Sequence, residues 1–192
     1  MFNSSRTRTV DGTTIKCWSN HANGKHSNQT LAEALNNSCN PCFVDIALSI
    51  GTETFYDYLE KFNFGKSTGL DFSGEAQGML LTESAVRDCD LARIGFGQTI
   101  AVSALQLACA GAAVVNGGYY YRPSLVKEIS SRTTISARCS RPAQNRTVSE
   151  EASRITASLL EGVVAKGAET KRISRATAWA ARRVPRRNTK TA

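Results

Sequence analysis

"TLAEALNNSCNPCFVDIA", residues 30–47, contains two helical patterns and a three-residue junction between them. Leu31, Ala34 and Leu35 recur at helical spacing within 28–38, and Asn28 stands where an N-cap is expected. Pro41 suits the first turn of a second helix, which runs to Gly51 at its C-cap. Ser38-Cys39-Asn40 forms the junction. A hydroxyl and a carboxamide carried on an interhelical turn have rigid supports and can point into a cleft together. Such a pair can relay a proton or position a substrate amide. Serine and asparagine are also ordinary capping residues, and on three residues alone capping is the default reading.

The flanking sequence extends the pattern. Upstream, "VDGTTIKCW" (10–18) alternates and carries Asp-Gly, so a turn enters a short strand; "NHANGKHSN" (20–28) is a polar loop. Downstream, "TETFYDYLEKFNFG" (52–65) predicts a helix capped by Thr52, with apolar Phe55, Tyr58, Leu59 and Phe62, ending at Gly65. Residues 66–90 have weak periodicity and are mostly connection. Residues 91–118 predict a short helix, a glycine-punctuated turn and a long buried helix ending at Asn-Gly-Gly. Residues 119–130 predict strand, proline bend and strand; 131–146 have no clear period; 149–167 predict an amphipathic helix capped by Ser149. No internal repeat occurs.

Taken in order, "TLAEALNNSCNPCFVDIA", "FGKSTGLDFSGEAQG", "DLARIGFGQTIAVSALQLACAGAAVVNGG" and "RPSLVKEI" resemble the transpeptidase domain of class B penicillin-binding proteins, including division- and sporulation-associated members. The resemblance covers about residues 10–167, and "GFGQ" ahead of the long helix is its most specific signature. It implies an α/β (α+β) architecture: the penicillin-recognising, serine β-lactamase-like fold, present in part as the helical subdomain and some of the antiparallel sheet. It implies cross-linking of peptidoglycan stem peptides through a serine acyl-enzyme, and covalent capture of β-lactams. Three motifs build that site. Ser38 and Asn40 match the second, Ser-x-Asn, and are the catalytic and substrate-binding candidates. By resemblance, Ser38 shuttles a proton towards the leaving amine. Asn40 hydrogen-bonds the substrate's acyl amide and the lysine beside the nucleophile.

The first motif, a helical Ser-x-x-Lys, is expected upstream of Met1. Ser124 and Lys127 have that spacing but follow Ser38 and sit on an expected strand, where i and i+3 face opposite ways. The third motif, Lys-Thr-Gly, is expected about where the terminal segment stands, and there "KTA" (190–192) is a weak imitation. The chain is therefore expected to be incompetent in the family's chemistry, and enzyme status is left open. An active-edge strand lacking its partner implies instability or aggregation.

The terminal segment differs from the rest. Residues 166–192 hold nine Lys or Arg and one acid, an excess equal to the whole chain's formal charge of +8. An Arg-rich arm can bind phosphate backbones or anionic surfaces, which supplies the alternative function of a non-enzymatic, basic-tailed binding fragment. No recognition module precedes it, so no specific nucleic-acid partner is expected. A second account fits the resemblance. Thr170–Ala192 can be written in codons whose one-base-earlier frame, starting in the last base of a Glu169 codon, encodes "NKAYIPGYRVGGKTGTAQKYKDG". The hidden Lys-Thr-Gly overlies Arg182, Arg183 and Val184. Residues 1–167 are thus expected to be a partial transpeptidase domain, and 168–192 a disordered, out-of-frame tail. A one-base shift across 132–142 similarly permits a strand-turn.

Six cysteines are too few for a disulfide-dense scaffold, and Cys109 within its apolar helix is expected to be a core residue. Cys39 and Cys42 form a CxxC that could hold zinc with His21, His26 or Cys17. Two packed thiols are the simpler expectation, and no metal or cofactor is assigned. No signal peptide or membrane-spanning run is visible. The resemblance implies work at the outer face of the bacterial plasma membrane, with attachment only through an N-terminal anchor beyond this chain. Nucleotide sequencing of codons 168–192 checks the frame expectation: the codons should carry the Lys-Thr-Gly segment one base out of register, and codons that do not encode it reject the frame slip.

Overall fold

A computed structural model describes residues 1–2, 5–18, 26, 28–70, 73–126, 128–130, 135–138 and 143–166. The terminal segment 168–192, His21, Lys127 and Cys139 lie outside them, as does most of the 132–142 patch.

The chain opens with a hairpin, β1 (Thr7–Val10) antiparallel to β2 (Thr13–Lys16). Asp11 and Gly12 form its two-residue turn, both at positive φ (47° and 73°), the pattern whose twist matches that of paired strands. The helical part follows: α1 (Leu31–Asn36), α2 (Asn40–Ile50), α3 (Thr52–Lys61), α4 (Asp88–Gly95) and α5 (Ala104–Val115). Then come β3 (Tyr119–Tyr121), β4 (Glu128–Ser130), β5 (Ile135–Arg138), β6 (Ala143–Arg146) and α6 (Glu150–Lys166). β3 pairs with β6 and β4 with β5, both antiparallel. The mixed helix-and-sheet class matches expectation. The described strands form three separate two-stranded sheets, and two strands fall in the stretch that shows no period.

The core forms where α2 crosses α4. Val44, Cys89 and Ala92 pack with Val10 and Ile15 of the hairpin, and Leu48 and Phe96 close the cluster. Burying these side chains stabilises the crossing by about 1.5–3 kcal/mol for each large one. The helices meet where Gly95 faces Ala47: a Cβ built on Gly95 would lie 2.5 Å from Ala47 Cβ and 3.1 Å from Phe43 O. The hairpin is tied to the same pair, because the Asp11 carboxylate accepts from the Cys89 N–H at 3.1 Å and so caps α4 from a distance. Arg8 and Asp45 add an ion pair at 2.8 Å, which exposure leaves worth little.

Elsewhere, one buried side chain anchors the connection 66–87. Gln106 accepts from the Ser103 N–H at 2.8 Å and donates to Lys66 O (2.7 Å) and Gln77 O (2.9 Å). Ser153 of α6 does similar work, donating to Val114 O at 2.7 Å and accepting from the Gly117 N–H at 3.0 Å. Ser149 caps α6 by accepting from the Ala152 N–H at 3.1 Å, as expected.

Several expectations are corrected. The cap of α1 is Thr30, not Asn28: Thr30 and Glu33 form a reciprocal capping box. The N-cap of α3 is Gly51, with Thr52 already inside the helix, because α2 and α3 share that residue as a corner. The left-handed residue closing α3 is Asn63 (φ 59°), two positions before Gly65. α5 is not buried all round: Gln106, Ala110 and Ala113 are buried, whereas Leu107 is 60% exposed. Cys109 is half-buried rather than fully so, and burial pushes its thiol pKa up. Ser124 lies between β3 and β4, not on a strand, and its hydroxyl donates to Val126 O at 2.9 Å.

Gly95→Ala is expected to force the two helices apart and cost about 1–3 kcal/mol, read as a lower urea midpoint. An unchanged midpoint would show that the crossing tolerates the added methyl.

Candidate functional site

α1 and α2 are separated by Asn37, Ser38 and Cys39 alone. Asn37 is the C-cap of α1, the Ser38 N–H donates to Leu35 O (3.1 Å), and the Cys39 N–H donates to Ala34 O (3.0 Å). This is the Schellman pattern, whose middle residue must be left-handed, and Ser38 takes that place with φ 48°. The accompanying apolar contact is present, as Cys39 and Ala34 are buried together with Cys17 and Cys42. Cys39 then serves as the N-cap of α2 without a side-chain capping bond.

The same pattern closes two other helices. After α3, Asn63 donates to Glu60 O and Phe64 to Leu59 O. After α4, Gly97 (φ 87°) donates to Ile94 O and Gln98 to Arg93 O. Glycine adopts this conformation freely and asparagine tolerates it, whereas serine is strained there. "GFGQ" thereby acquires a physical reading: Gly95 allows the helix crossing, Phe96 packs into the core, Gly97 makes the left-handed turn, and Gln98 completes the cap. Ser38 is the one of the three closing residues whose side chain makes the turn harder to form. Backbone strain of this kind collects at functional sites.

Side chains hold the junction from the hairpin side. Asn40 Nδ2 donates to Lys16 O at 3.1 Å, and Trp18 Nε1 donates to Asn37 O at 3.0 Å. Asn37 Nδ2 donates to Gln29 Oε1 at 2.7 Å. Ser38 is exposed and Asn40 half-buried, so both predicted residues stand side by side and can be reached from solvent. Asn40 borders an open polar groove of about 200 Å³ with Lys16, Arg93, Phe96 and Gln98. A carboxamide, a guanidinium and a second carboxamide around one groove suit a ligand rich in peptide amides and carboxylate. Sequence reasoning took Gln98 only as part of a signature and passed over Arg93 and Lys16. The available signal was that Gln98 immediately follows a helix-closing glycine.

Of the other candidates, Ser124 is described and Lys127 is not, so the Ser-x-x-Lys spacing acquires no described geometry. "KTA" at 190–192 lies outside the described residues. Among the cysteines and histidines considered, Cys17, His26 and Cys39 are brought together, with Cys42 buried beside them.

The penicillin binding protein transpeptidase domain matches residues 1–182. Stage V sporulation protein D of Bacillus subtilis (strain 168) is 38% identical over 160 residues, which is 82% of this chain and 24% of that protein. Peptidoglycan D,D-transpeptidase FtsI of Escherichia coli (strain K12) is 30% identical over 103 residues, 54% of this chain and 18% of that protein. The chain thus spans under a quarter of the length of these curated relatives. Among solved structures, a peptidoglycan synthetase from Bifidobacterium adolescentis superposes with a TM-score of 0.76 at 26% identity, over 86% of this chain and 30% of that one. Penicillin binding protein 3 from Mycobacterium tuberculosis, complexed with ampicillin, superposes at 0.75 and 23% identity, over 83% and 34%, a likeness of fold.

Replacing Ser38 by glycine is expected to relieve the turn and raise unfolding stability by about 0.5–1 kcal/mol, seen as a higher thermal midpoint. Ser38→Ala keeps the strain and should stay within about 0.5 kcal/mol of the parent. A destabilised glycine variant would mean that the hydroxyl is a structural group.

Proposed function

Because the chain belongs to the penicillin-binding protein transpeptidase family, we propose that it is a segment of a peptidoglycan D,D-transpeptidase and carries the second-motif side of the active site. The observation that carries this reading is the strained Ser38 beside Asn40 on a turn held by both helices and the hairpin. The substrate is a stem peptide ending in D-Ala–D-Ala, and β-lactams are its covalent mimics.

In this reading a nucleophilic serine gives its proton to a lysine and attacks the penultimate D-Ala carbonyl. The tetrahedral adduct then collapses, the peptide C–N bond breaks, and Ser38 passes a proton to the departing amine. That leaves an ester, which the amine of a second stem peptide opens to form the cross-link. Asn40 orients the acyl amide, and Arg93 and Gln98 border the space in which the peptide is held. Neither the nucleophile nor its lysine has a described counterpart on a helix, so acylation by this chain alone is not expected. Residues 168–192 are read as the third-motif strand in the wrong frame. The site would work at the outer face of the bacterial plasma membrane; among the described residues no helix is long and apolar enough to cross one. The basic-tailed alternative rests on residues outside the described ones, and no described feature favours it.

Fluorescent penicillin labelling tests the reading. This chain should not be labelled, while the product of the uninterrupted gene should be, and Ser38→Ala or Asn40→Ala in that product should slow labelling by about 100-fold or more. A labelled band from this chain, or full labelling rates in both variants, would overturn it.

A further inference from the structure

Cys17 follows the last residue of β2, His26 lies in the loop before α1, and Cys39 is the centre of the Ser38–Asn40 turn. All three are buried, with exposures of 5%, 4% and 0%. Their sulfur and ring-nitrogen atoms lie within 4.8 Å of one another. Cys17 Sγ is 4.0 Å from Cys39 Sγ and 3.7 Å from His26 Nδ1. Tetrahedral zinc, with Zn–S of about 2.3 Å and Zn–N of about 2.0–2.1 Å, would place adjacent ligand atoms about 3.8 Å (S to S) and about 3.6 Å (S to N) apart. The two separations made by Cys17 match those edges to within a few tenths of an ångström, and the third pair, Cys39 and His26, lies within 4.8 Å.

We propose that Cys17, His26 and Cys39 form a structural zinc site that clamps the turn bearing Ser38 and Asn40. Binding takes both thiols as thiolates, releasing two protons for each Zn²⁺, and uses the Nδ1 lone pair of a neutral imidazole. Cys42 is the third buried thiol of the cluster and stands three residues beyond Cys39, outside the close group of ligand atoms. Gln29 provides the outer support. Its Nε2 donates to His26 O at 2.9 Å and to Cys42 Sγ at 3.4 Å, so one amide fixes the histidine backbone and the extra sulfur together.

The placement has a consequence for the turn. Cys17 directly follows Lys16, whose carbonyl accepts from Asn40, and Cys39 directly precedes Asn40. A metal joining Cys17 to Cys39 would therefore bridge the two ends of that hydrogen bond and hold the hairpin against the start of α2. The site stands apart from the peptidoglycan reading, and its readout is metal rather than β-lactam.

The test uses the whole chain, reduced and stripped of metal, titrated with Co²⁺ and then Zn²⁺. One equivalent of Co²⁺ should bind with thiolate-to-cobalt charge-transfer absorption in the near ultraviolet, and Zn²⁺ should displace it. Cys17→Ser, Cys39→Ser and His26→Ala should each weaken binding by about 100-fold or more, while Cys89→Ser leaves it unchanged. Because a ligand variant can fail to fold, zinc K-edge absorption of the unaltered, zinc-loaded chain gives a second measure, and it should report at least two sulfurs and one nitrogen. The proposal is overturned if no band forms in reduced protein, if the Cys17→Ser and Cys39→Ser variants bind metal as the parent does, or if the first shell contains no sulfur. It is also overturned if Cys17 and Cys39 form a disulfide with zinc present from the start.

Discussion

The turn at 37–39 has to end one helix and begin another within three residues, and its backbone groups must all find partners on the way. The solution is a left-handed residue that returns two N–H groups to the last turn of α1 while the chain swings into α2. Everything that positions the candidate site follows from this constraint. The turn sets where α2 starts, α2 sets where α4 can cross, and the crossing leaves room for the hairpin whose Lys16 carbonyl receives Asn40. That serine occupies the left-handed position, when Asn63 and Gly97 fill the equivalent places after α3 and α4, puts a cost of about 1–2 kcal/mol at the candidate site. A residue chosen for stability alone would be glycine.

The helix crossing makes the strain tolerable. Gly95 brings α4 close to Ala47 and Phe43 of α2, and Asp11 reaches from the hairpin turn to cap α4. Three segments far apart in sequence are thereby locked around a single cluster, and the short α1 need not be stable by itself. Six residues are too few to hold a helix in water, so α1 depends on Thr30, Glu33 and its buried Ala34. α5 shows the converse situation. Its sequence is apolar around most of the circumference, yet Leu107 remains open to solvent.

Local signals carried much of the fold. Asp-Gly marks the hairpin, Pro41 and Gly51 bracket α2, and Asn-Gly-Gly ends α5, because each residue acts through its own φ or its missing donor. Caps were less legible. Asn28 and Thr30 are equally good cap residues in isolation, and only Glu33, three positions after Thr30, discriminates between them. The strands in 131–146 were illegible because a stretch of four residues shows too few alternations to reveal a period.

The sequence by itself determined the class and the family, and it singled out Ser38 and Asn40 as candidates, because those depend on residue type and order along the chain. Tertiary structure decided what surrounds them. It carried Arg93 and Gln98 to the groove beside Asn40, and it gathered Cys17, His26 and Cys39 from three separate segments into one buried cluster. Such juxtapositions depend on how the hairpin docks on the helix pair. That docking is set by the close approach at Gly95 and the reach of Asp11; both stand in local motifs, "GFGQ" and Asp-Gly, but neither motif names the distant segment it meets.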